Sequence, residues 1–132
     1  MAGILDGMVA LVTGSGAGQG ISGVAEQGPG IGSEIALRMA SQGARVAVND
    51  VDPDAASRCV EWIRSQGLDA FSVTGSVSDP EQSAEIVRRT TERLGRLDIL
   101  VNNAARGGKA FAVERMPLAE WQATVNLNLT GP

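Results

Sequence analysis

A glycine-rich loop between an apolar run and a helix-like segment is the feature that most constrains how this chain can fold. The apolar residues 8–12 lead into residues 13–20, which carry four glycines, and a second glycine cluster at 28–32 precedes a helix-like stretch at 33–42. A strand, a glycine loop and a helix in this order place backbone N–H groups around an anion at the helix N-terminus. The pattern predicts a dinucleotide site whose glycine loop is split in two.

The helix that follows the loop decides which glycines belong to the site. An unbroken helical pattern follows Gly32, whereas the residues after Gly20 have little helical periodicity. We therefore assign Gly14 to the turn after the strand and Gly30 with Gly32 to the phosphate approach. Residues 18–29 are then an insertion. A glycine-rich linker that binds no ligand is the alternative interpretation.

Strand-like and helix-like segments alternate along the rest of the chain. Such alternation predicts an α/β fold, a Rossmann-like doubly wound parallel sheet of about four strands with flanking helices and right-handed crossovers. We expect a single domain over residues 1–132, with its ligand beyond the carboxyl ends of the strands. The predicted strands after the first are residues 45–49, 70–73 and 97–101.

Two helix starts have clear signals. Asp52 is a candidate N-cap because Pro53 follows it at the first helical position. Ser78 and Glu81 have the spacing of a capping box, which predicts that the third helix begins at Ser78.

Composition excludes several classes of function. The net charge is −4 with no block of basic residues, which argues against a nucleic-acid partner. No segment approaches the ~20 apolar residues that a membrane helix needs, and no secretory signal pattern is present, so we expect a cytoplasmic protein.

Cys59 is the sole cysteine, so no internal disulfide can form. The chain has no histidine and no tyrosine, which removes the commonest acid–base groups.

Two strand ends carry candidate binding residues. Asp50 ends the second strand, where a carboxylate can accept both hydroxyls of an adenosine ribose and would repel a 2′-phosphate. It therefore favours NAD over NADP, although a solvated turn residue is the alternative. Asn102 and Asn103 follow the fourth strand and can brace its end and line a cofactor pocket, or form a simple turn.

The remaining reactive side chains have simpler interpretations. Cys59 falls on the apolar face of a helix and is expected to be buried. Lys109 follows two glycines and is expected to be a solvated loop charge. We predict no metal site.

These motifs together resemble the short-chain dehydrogenase/reductase family, in particular its 3-oxoacyl-carrier-protein reductase-like and alcohol- or sugar-dehydrogenase-like members. The resemblance covers the chain except residues 18–29. The residues that carry it are Thr13-Gly14 with Gly30-Ile31-Gly32, Asp50, Asp98 to Ala105, and Trp121 with Asn128-Leu129-Thr130-Gly131.

The resemblance implies a role for each matching position. Asp50 would hold the adenosine ribose, Val77 would pack beside adenine, and Asn128 matches the active-site asparagine that supports a proton-relay water and the catalytic lysine. The pyrophosphate would be lined by Gly14, Ser15, Gly30, Ile31 and Gly32. The nicotinamide side would be lined by Asn103, Ala104 and Ala105.

The resemblance implies NAD(P)-dependent hydride transfer between nicotinamide and a carbonyl or alcohol carbon of an unknown small substrate. Ser76 stands where the family commonly has Asp, and the family's catalytic Ser and Tyr-x-x-x-Lys motif have no counterpart here. We therefore expect this truncated chain to be inactive by itself.

Two other functions remain open from the sequence. The chain could be a non-catalytic nucleotide-binding or oligomerisation fragment of a reductase, because its fourth strand would be an exposed edge that invites self-association. A methyltransferase also uses a glycine loop and an acidic residue after its second strand, but the Thr-Gly start and the Asn-Asn-Ala-Ala segment fit a dehydrogenase better.

Overall fold

The computed structural model describes residues 3–16, 30–107 and 110–132, and within them it has the expected α/β fold. The predicted insertion at 18–29 and the predicted loop charge Lys109 lie outside the described residues. The strands are β1 (Val9–Val12), β2 (Arg45–Asp50), β3 (Ala70–Thr74) and β4 (Ile99–Val101). The helices are α1 (Ile31–Ser41), α2 (Pro53–Arg64), α3 (Pro80–Leu94) and α4 (Leu118–Val125), with a 3-10 turn at Val113–Arg115 and a π-helical turn at Asn126–Thr130.

The sheet is parallel, with strand order β3-β2-β1-β4. Val12 of β1 lies beside Val48 of β2 on one side and Val101 of β4 on the other. This register brings the carboxyl ends of β1, β2 and β4 to one edge of the sheet. Ligands of open α/β sheets bind at that edge.

Two hydrophobic clusters cover the two faces of the sheet, because successive side chains of a strand point to opposite sides. Ala10 and Val46 belong to one cluster, together with residues of α1 and α2. Leu11 and Ala47 belong to the other, which includes Ile86 of α3. All four residues of β1 are buried, as expected for a strand covered by helices on both faces.

The two ends of the sheet differ in how well they are covered. Phe71 of the edge strand β3 is 7% exposed, and the guanidinium of Arg93 lies 5.0 Å from the centroid of its ring. Leu100 of the opposite edge strand, β4, is 49% exposed. Among the residues that the structure describes, no helix is both long and apolar enough to cross a membrane.

One predicted helix start is confirmed and the other is wrong. Asp52 caps α2 by accepting a hydrogen bond from the Asp54 backbone N–H at 2.9 Å. The cap of α3 is Asp79, not Ser78, because Pro80 occupies the first helical position and the Asp79 carboxylate accepts the backbone N–H of Gln82 at 2.9 Å. That hydrogen bond lowers the pKa of Asp79 below its usual value.

Candidate cofactor site at the carboxyl edge of the sheet

Glycines allow the strand ends to approach the start of α1 closely. Gly14 has a left-handed backbone (φ 59°), and a Cβ there would lie 2.6 Å from the Cα of Ala104. A Cβ on Gly32 would overlap the Asn103 amide nitrogen and lie 2.8 Å from the carbonyl oxygen of Gly14. The structure therefore brings together four residues that the sequence predicted for the site, and two of them have no room for a side chain.

Thr13 and Asn103 connect the end of β1 to the end of β4. The Asn103 Nδ2 donates to the carbonyl oxygens of Thr13 and Gly14, both at 2.9 Å. The Thr13 hydroxyl accepts the backbone N–H groups of Asn103 and Ala104 at 3.1 Å each and donates to the Val101 carbonyl at 3.2 Å. Asn103 thus braces the strand ends, and that it also lines a cofactor pocket stays a prediction.

Asp50 connects the end of β2 to the glycine loop. One carboxylate oxygen accepts the Gly16 backbone N–H at 2.9 Å, and the other accepts the Asp52 backbone N–H at 3.0 Å. A Cβ on Gly16 would lie 2.6 Å from the first of these oxygens and 2.7 Å from the Cβ of Ala55. Because a carboxylate has about four lone-pair sites, Asp50 keeps acceptor capacity for a ligand's hydroxyl groups.

Ser15 is completely buried, and its hydroxyl points inward. Its Oγ donates to the Val12 carbonyl at 2.6 Å and lies 3.4 Å from the Asn49 carbonyl, which also accepts the Ser15 backbone N–H at 2.8 Å. The side chain of Ser15 therefore orders the turn. Any contact of Ser15 with a pyrophosphate stays a prediction.

The start of α1 has the form of an anion site. Gly30 is its N-cap, with an extended backbone (φ −71°, ψ 171°), and its carbonyl accepts the Glu34 N–H at 3.0 Å. Gly30 has no side chain to cap the helix, and Ile31 after it is 73% exposed. The first N–H groups of an α-helix have no partner within the helix, so they are available to an anion.

Val77 lies in the loop between β3 and α3, residues 75–79. It is half-buried against the cluster that includes Ile86, and its carbonyl accepts the Ser83 hydroxyl at 2.9 Å. A Cβ on Gly131 would lie 3.0 Å from the Val77 carbonyl oxygen. The loop predicted to contact adenine therefore runs beside the end of the described chain.

Asn128 is paired with the backbone of Arg106. Its Oδ1 accepts the Arg106 N–H and its Nδ2 donates to the Arg106 carbonyl, both at 3.0 Å. The Arg106 guanidinium in turn lies 3.0 Å from the Glu120 carboxylate of α4. Asn128 thus holds the segment after β4, next to the exposed Ala105. Its catalytic role stays a prediction.

Cys59 lies beneath the site, fully buried on α2. Burial raises the pKa of its thiol to about 11, the charge of Asp50 adds to the rise, and a hydrogen bond with Ser33 opposes it. A thiol held neutral is a poor nucleophile. The expectation of a buried helix-face cysteine is confirmed.

Sequence reasoning missed three residues that organise this edge: Gly16, Asn49 and Arg106. Asn49 had the clearest signal, because a polar residue inside a strand buried on both faces needs partners. Within residues 3–16, 30–107 and 110–132, no three His, Cys, Asp or Glu side chains come together as a possible metal site.

The chain belongs to the short-chain dehydrogenase family, whose model matches residues 8–132. The chain is 38% identical over 129 residues to an uncharacterized oxidoreductase of Thermotoga maritima, covering 98% of this chain and 45% of the relative. It is 36% identical over 126 residues to the 7alpha-hydroxysteroid dehydrogenase of Escherichia coli, covering 95% and 44%. It is 34% identical over 128 residues to a 3-oxoacyl-[acyl-carrier-protein] reductase of Synechocystis, covering 96% and 47%.

Solved structures agree with this assignment. A short chain dehydrogenase from Mycobacterium smegmatis superposes with a TM-score of 0.85 at 34% identity, covering 98% of this chain and 49% of that one. A 7α-hydroxysteroid dehydrogenase in complex with NADH and 7-oxo glycochenodeoxycholic acid superposes with a TM-score of 0.82 at 35% identity, covering 96% and 44%. The chain thus spans about half the length of the relatives that it matches.

Proposed function

We propose that this chain is the cofactor-binding part of an NAD-dependent oxidoreductase that transfers hydride between nicotinamide and a carbonyl or alcohol carbon. The observation that carries the proposal is the hydrogen bond between Asp50 and the Gly16 N–H at 2.9 Å. It places a carboxylate next to the glycine loop at the carboxyl edge of the sheet, where a dinucleotide spans from pyrophosphate to ribose.

The residues at this edge fit such a cofactor. Among the described residues, the nearest atom to a Cβ on Gly30 would be Ser33 Oγ at 3.9 Å, so none of them fills the approach to the start of α1. The pyrophosphate would lie against the N–H groups of Ile31 and Gly32, with Gly14 and Ser15 forming the opposite wall. The family membership and the NADH-bound relative support this placement.

Asp50 would select NAD over NADP. Its carboxylate would accept the ribose hydroxyls, and a 2′-phosphate at the same place would meet a like charge. The neighbouring Asp52 adds a second negative charge at this turn, which has the same effect. Val77 would pack beside adenine at the far end of the site.

The nicotinamide half would lie beyond the end of β4. Asn103 holds the strand ends, while Ala104 and Ala105 present small side chains where the ring would rest. When bound, the nicotinamide would donate or accept the hydride. Asn128 would hold the segment after β4 at the correct distance through its two hydrogen bonds to Arg106.

We further propose that these 132 residues bind NADH without catalysing its oxidation. Proton transfer to the substrate oxygen needs a group that titrates near neutral pH, and the chain has no histidine or tyrosine for that step. Purified chain incubated with NADH and a panel of ketones should show no consumption of NADH above a preparation that carries Asp50→Ala. Turnover above that background would overturn this proposal.

Calorimetric titration with NADH and NADPH tests the binding site. Asp50→Asn should weaken NADH binding and strengthen NADPH binding, because the amide removes the repulsion of the 2′-phosphate. Loss of the Gly16 hydrogen bond alone would weaken both ligands, so opposite shifts identify direct recognition of the ribose. Asp69→Asn, an exposed carboxylate at the other end of the sheet, is the matched control and should change neither affinity. Absence of NADH binding to the wild-type chain would contradict the proposed site.

The second candidate is a non-catalytic fragment that associates with itself or a relative. The observation in its favour is the exposed apolar surface of α4, where Leu118 is 76% and Trp121 57% exposed. Light scattering over a concentration series distinguishes it: a mass that rises with concentration supports association, and a constant monomer mass contradicts it.

A further inference from the structure

Asn49 is a buried polar residue whose position no binding role yet explains. It lies inside β2, one residue before Asp50, and is 1% exposed. A buried amide without partners costs several kcal/mol, so its hydrogen bonds are the reason that it is tolerated there. Its Nδ2 donates to the carbonyl oxygens of Val73 at 2.9 Å and Gly75 at 3.1 Å.

Asn49 and Asp50 each bond to both of the loops that flank the end of β2. The Asn49 carbonyl accepts the Ser15 N–H at 2.8 Å while its side chain holds the Gly75 carbonyl. The Asp50 carbonyl accepts the Gly75 N–H at 3.1 Å while its side chain holds the Gly16 N–H. The glycine loop and the 75–79 loop are thus linked across β2 by two sets of hydrogen bonds, one through Asn49 and one through Asp50.

The 75–79 loop is ordered from its other side as well. A Cβ on Gly75 would lie 3.0 Å from two side-chain carbons of Ile86, so the loop packs directly on α3. The Ser76 N–H donates to Gln82 Oε1 at 2.9 Å, and the Ser76 hydroxyl lies 2.8 Å from that of Ser78. The oxygens of these two hydroxyls can accept a hydrogen bond from an adenine amino group.

We propose that Asn49 is a positioning residue that holds the 75–79 loop at a set distance from the glycine loop, so that the adenine and pyrophosphate contacts are in register before the cofactor binds. The adenine part of this inference rests on the proposed function. The coupling of the two loops does not, because it is a property of the chain without ligand. Preorganisation of this kind raises affinity by reducing the ordering that binding requires.

Amide hydrogen exchange, followed residue by residue by NMR, tests the coupling. In Asn49→Leu, which keeps a similar volume but has no donor, the amides of Gly75 and Ser76 should exchange about tenfold faster, the factor expected for loss of roughly one net hydrogen bond. The amides of Ser15 and Gly16 should accelerate with them. Acceleration confined to Gly75 and Ser76 would make Asn49 a local contact and overturn the coupling.

Val46→Ala is the matched control for a general loss of stability. Val46 is fully buried near the amino end of β2, and its side chain has no group that could hydrogen-bond to either loop. It should lower global stability while the four loop amides keep their protection relative to the rest of the sheet. Equal acceleration of those amides in both variants would contradict the proposal. If Asn49→Leu does not fold, Asn49→Ala, which also has no side-chain donor, takes its place in the same measurement with the same expected outcome.

Ligand discrimination tests the consequence for the adenine site. Wild-type chain should bind NADH more tightly than reduced nicotinamide hypoxanthine dinucleotide, which replaces the adenine amino group by an oxygen. Asn49→Leu should reduce this preference severalfold, whereas Val46→Ala should leave the ratio unchanged. An unchanged ratio in Asn49→Leu overturns the adenine part of the inference. Failure of the wild type to bind either dinucleotide contradicts the proposed function, and the exchange experiment still decides the coupling.

Discussion

The site has two regions that are held in different ways. At the ends of β1 and β2 the residues Thr13, Ser15 and Asn49 are buried, and each hydrogen-bonds to backbone groups at the end of another strand. Past Ala104, the described chain is held by two hydrogen bonds between Asn128 and the Arg106 backbone and by the Arg106–Glu120 ion pair, and Leu129 is 74% exposed. We infer that the side proposed for adenosine and pyrophosphate is rigid without a ligand, whereas the side proposed for nicotinamide depends on a few solvent-accessible polar contacts.

The largest effect should come from filling the close approach in the first region. In Gly32→Ala the new Cβ would lie 2.8 Å from the Gly14 carbonyl oxygen and 2.9 Å from the Ser15 Cα. Both atoms are backbone, so they cannot rotate away, and overpacking of this kind costs about 3 kcal/mol. Urea unfolding measures it. Gly30→Ala, whose Cβ would lie no closer than 3.9 Å to any described atom, is the control and should change stability by less than about 1 kcal/mol. Similar losses in both variants would show that the first region is not tightly packed.

Thr13→Val should have the next largest effect, because it removes the shared acceptor without changing the shape of the side chain. The backbone N–H groups of Asn103 and Ala104 would lose their partner, which costs about 2 kcal/mol. The loss should appear in chemical unfolding and as faster exchange of those two amides. Thr74→Val, an exposed threonine at the end of β3, should be close to neutral. A neutral Thr13→Val would contradict the account of how β1 is connected to β4.

Asn128→Ala should have a smaller and local effect in the second region. Its two hydrogen bonds to Arg106 are solvent-accessible, so the free energy of unfolding should fall by less than about 1 kcal/mol. Exchange of the Arg106 amide should nevertheless increase strongly relative to that in Asn126→Ala, an exposed neighbour whose side chain accepts a hydrogen bond from Gln122. A large global destabilisation by Asn128→Ala would remove the contrast between the two regions.

Cys59 has the smallest effect at neutral pH, where its thiol is neutral in both states, and it is a direct probe of the first region. Its pKa is raised to about 11 in the folded protein, above its ordinary value of 9.0, so folding favours the neutral thiol. The resulting stabilisation is fully present below pH 9.0 and is lost as the pH rises towards about 11. Cys59→Ser should flatten this alkaline decline.

At neutral pH, alkylation of Cys59 should be slow in the folded chain and fast in urea. Rapid alkylation of the folded chain would show that the region opens.

The helix starts show where local sequence information was sufficient and where it was not. Asp52 followed by Pro53 identified the cap of α2, because a proline at the first helical position marks the residue before it as the N-cap. The same rule identifies Asp79 before Pro80, but the Ser78–Glu81 spacing suggested a competing capping box. The two signals differ by one residue, and only the observed acceptor of the Gln82 N–H distinguishes them.

The sequence by itself determined the α/β class, the strand that leads into the glycine loop, and the polar residues at the strand ends. These follow from local patterns: alternation of periodicities, glycine placement and the position of polar residues after apolar runs. For the same reason Gly14, Asp50 and Asn103 could be placed at the carboxyl edge of the sheet before their contacts were known.

Only the tertiary structure decided which protein atoms each of the polar residues at this edge bonds to. The inward hydroxyl of Ser15, the pairing of Asn128 with Arg106 and the double role of Asn49 depend on partners 3 to 34 residues away along the chain. Partners that follow different strands, such as Ser15 and Asn49, meet only when the parallel strands align in register. The residue types determine which hydrogen bonds are possible. Because a hydrogen bond is directional and short-ranged, the fold determines which of them form.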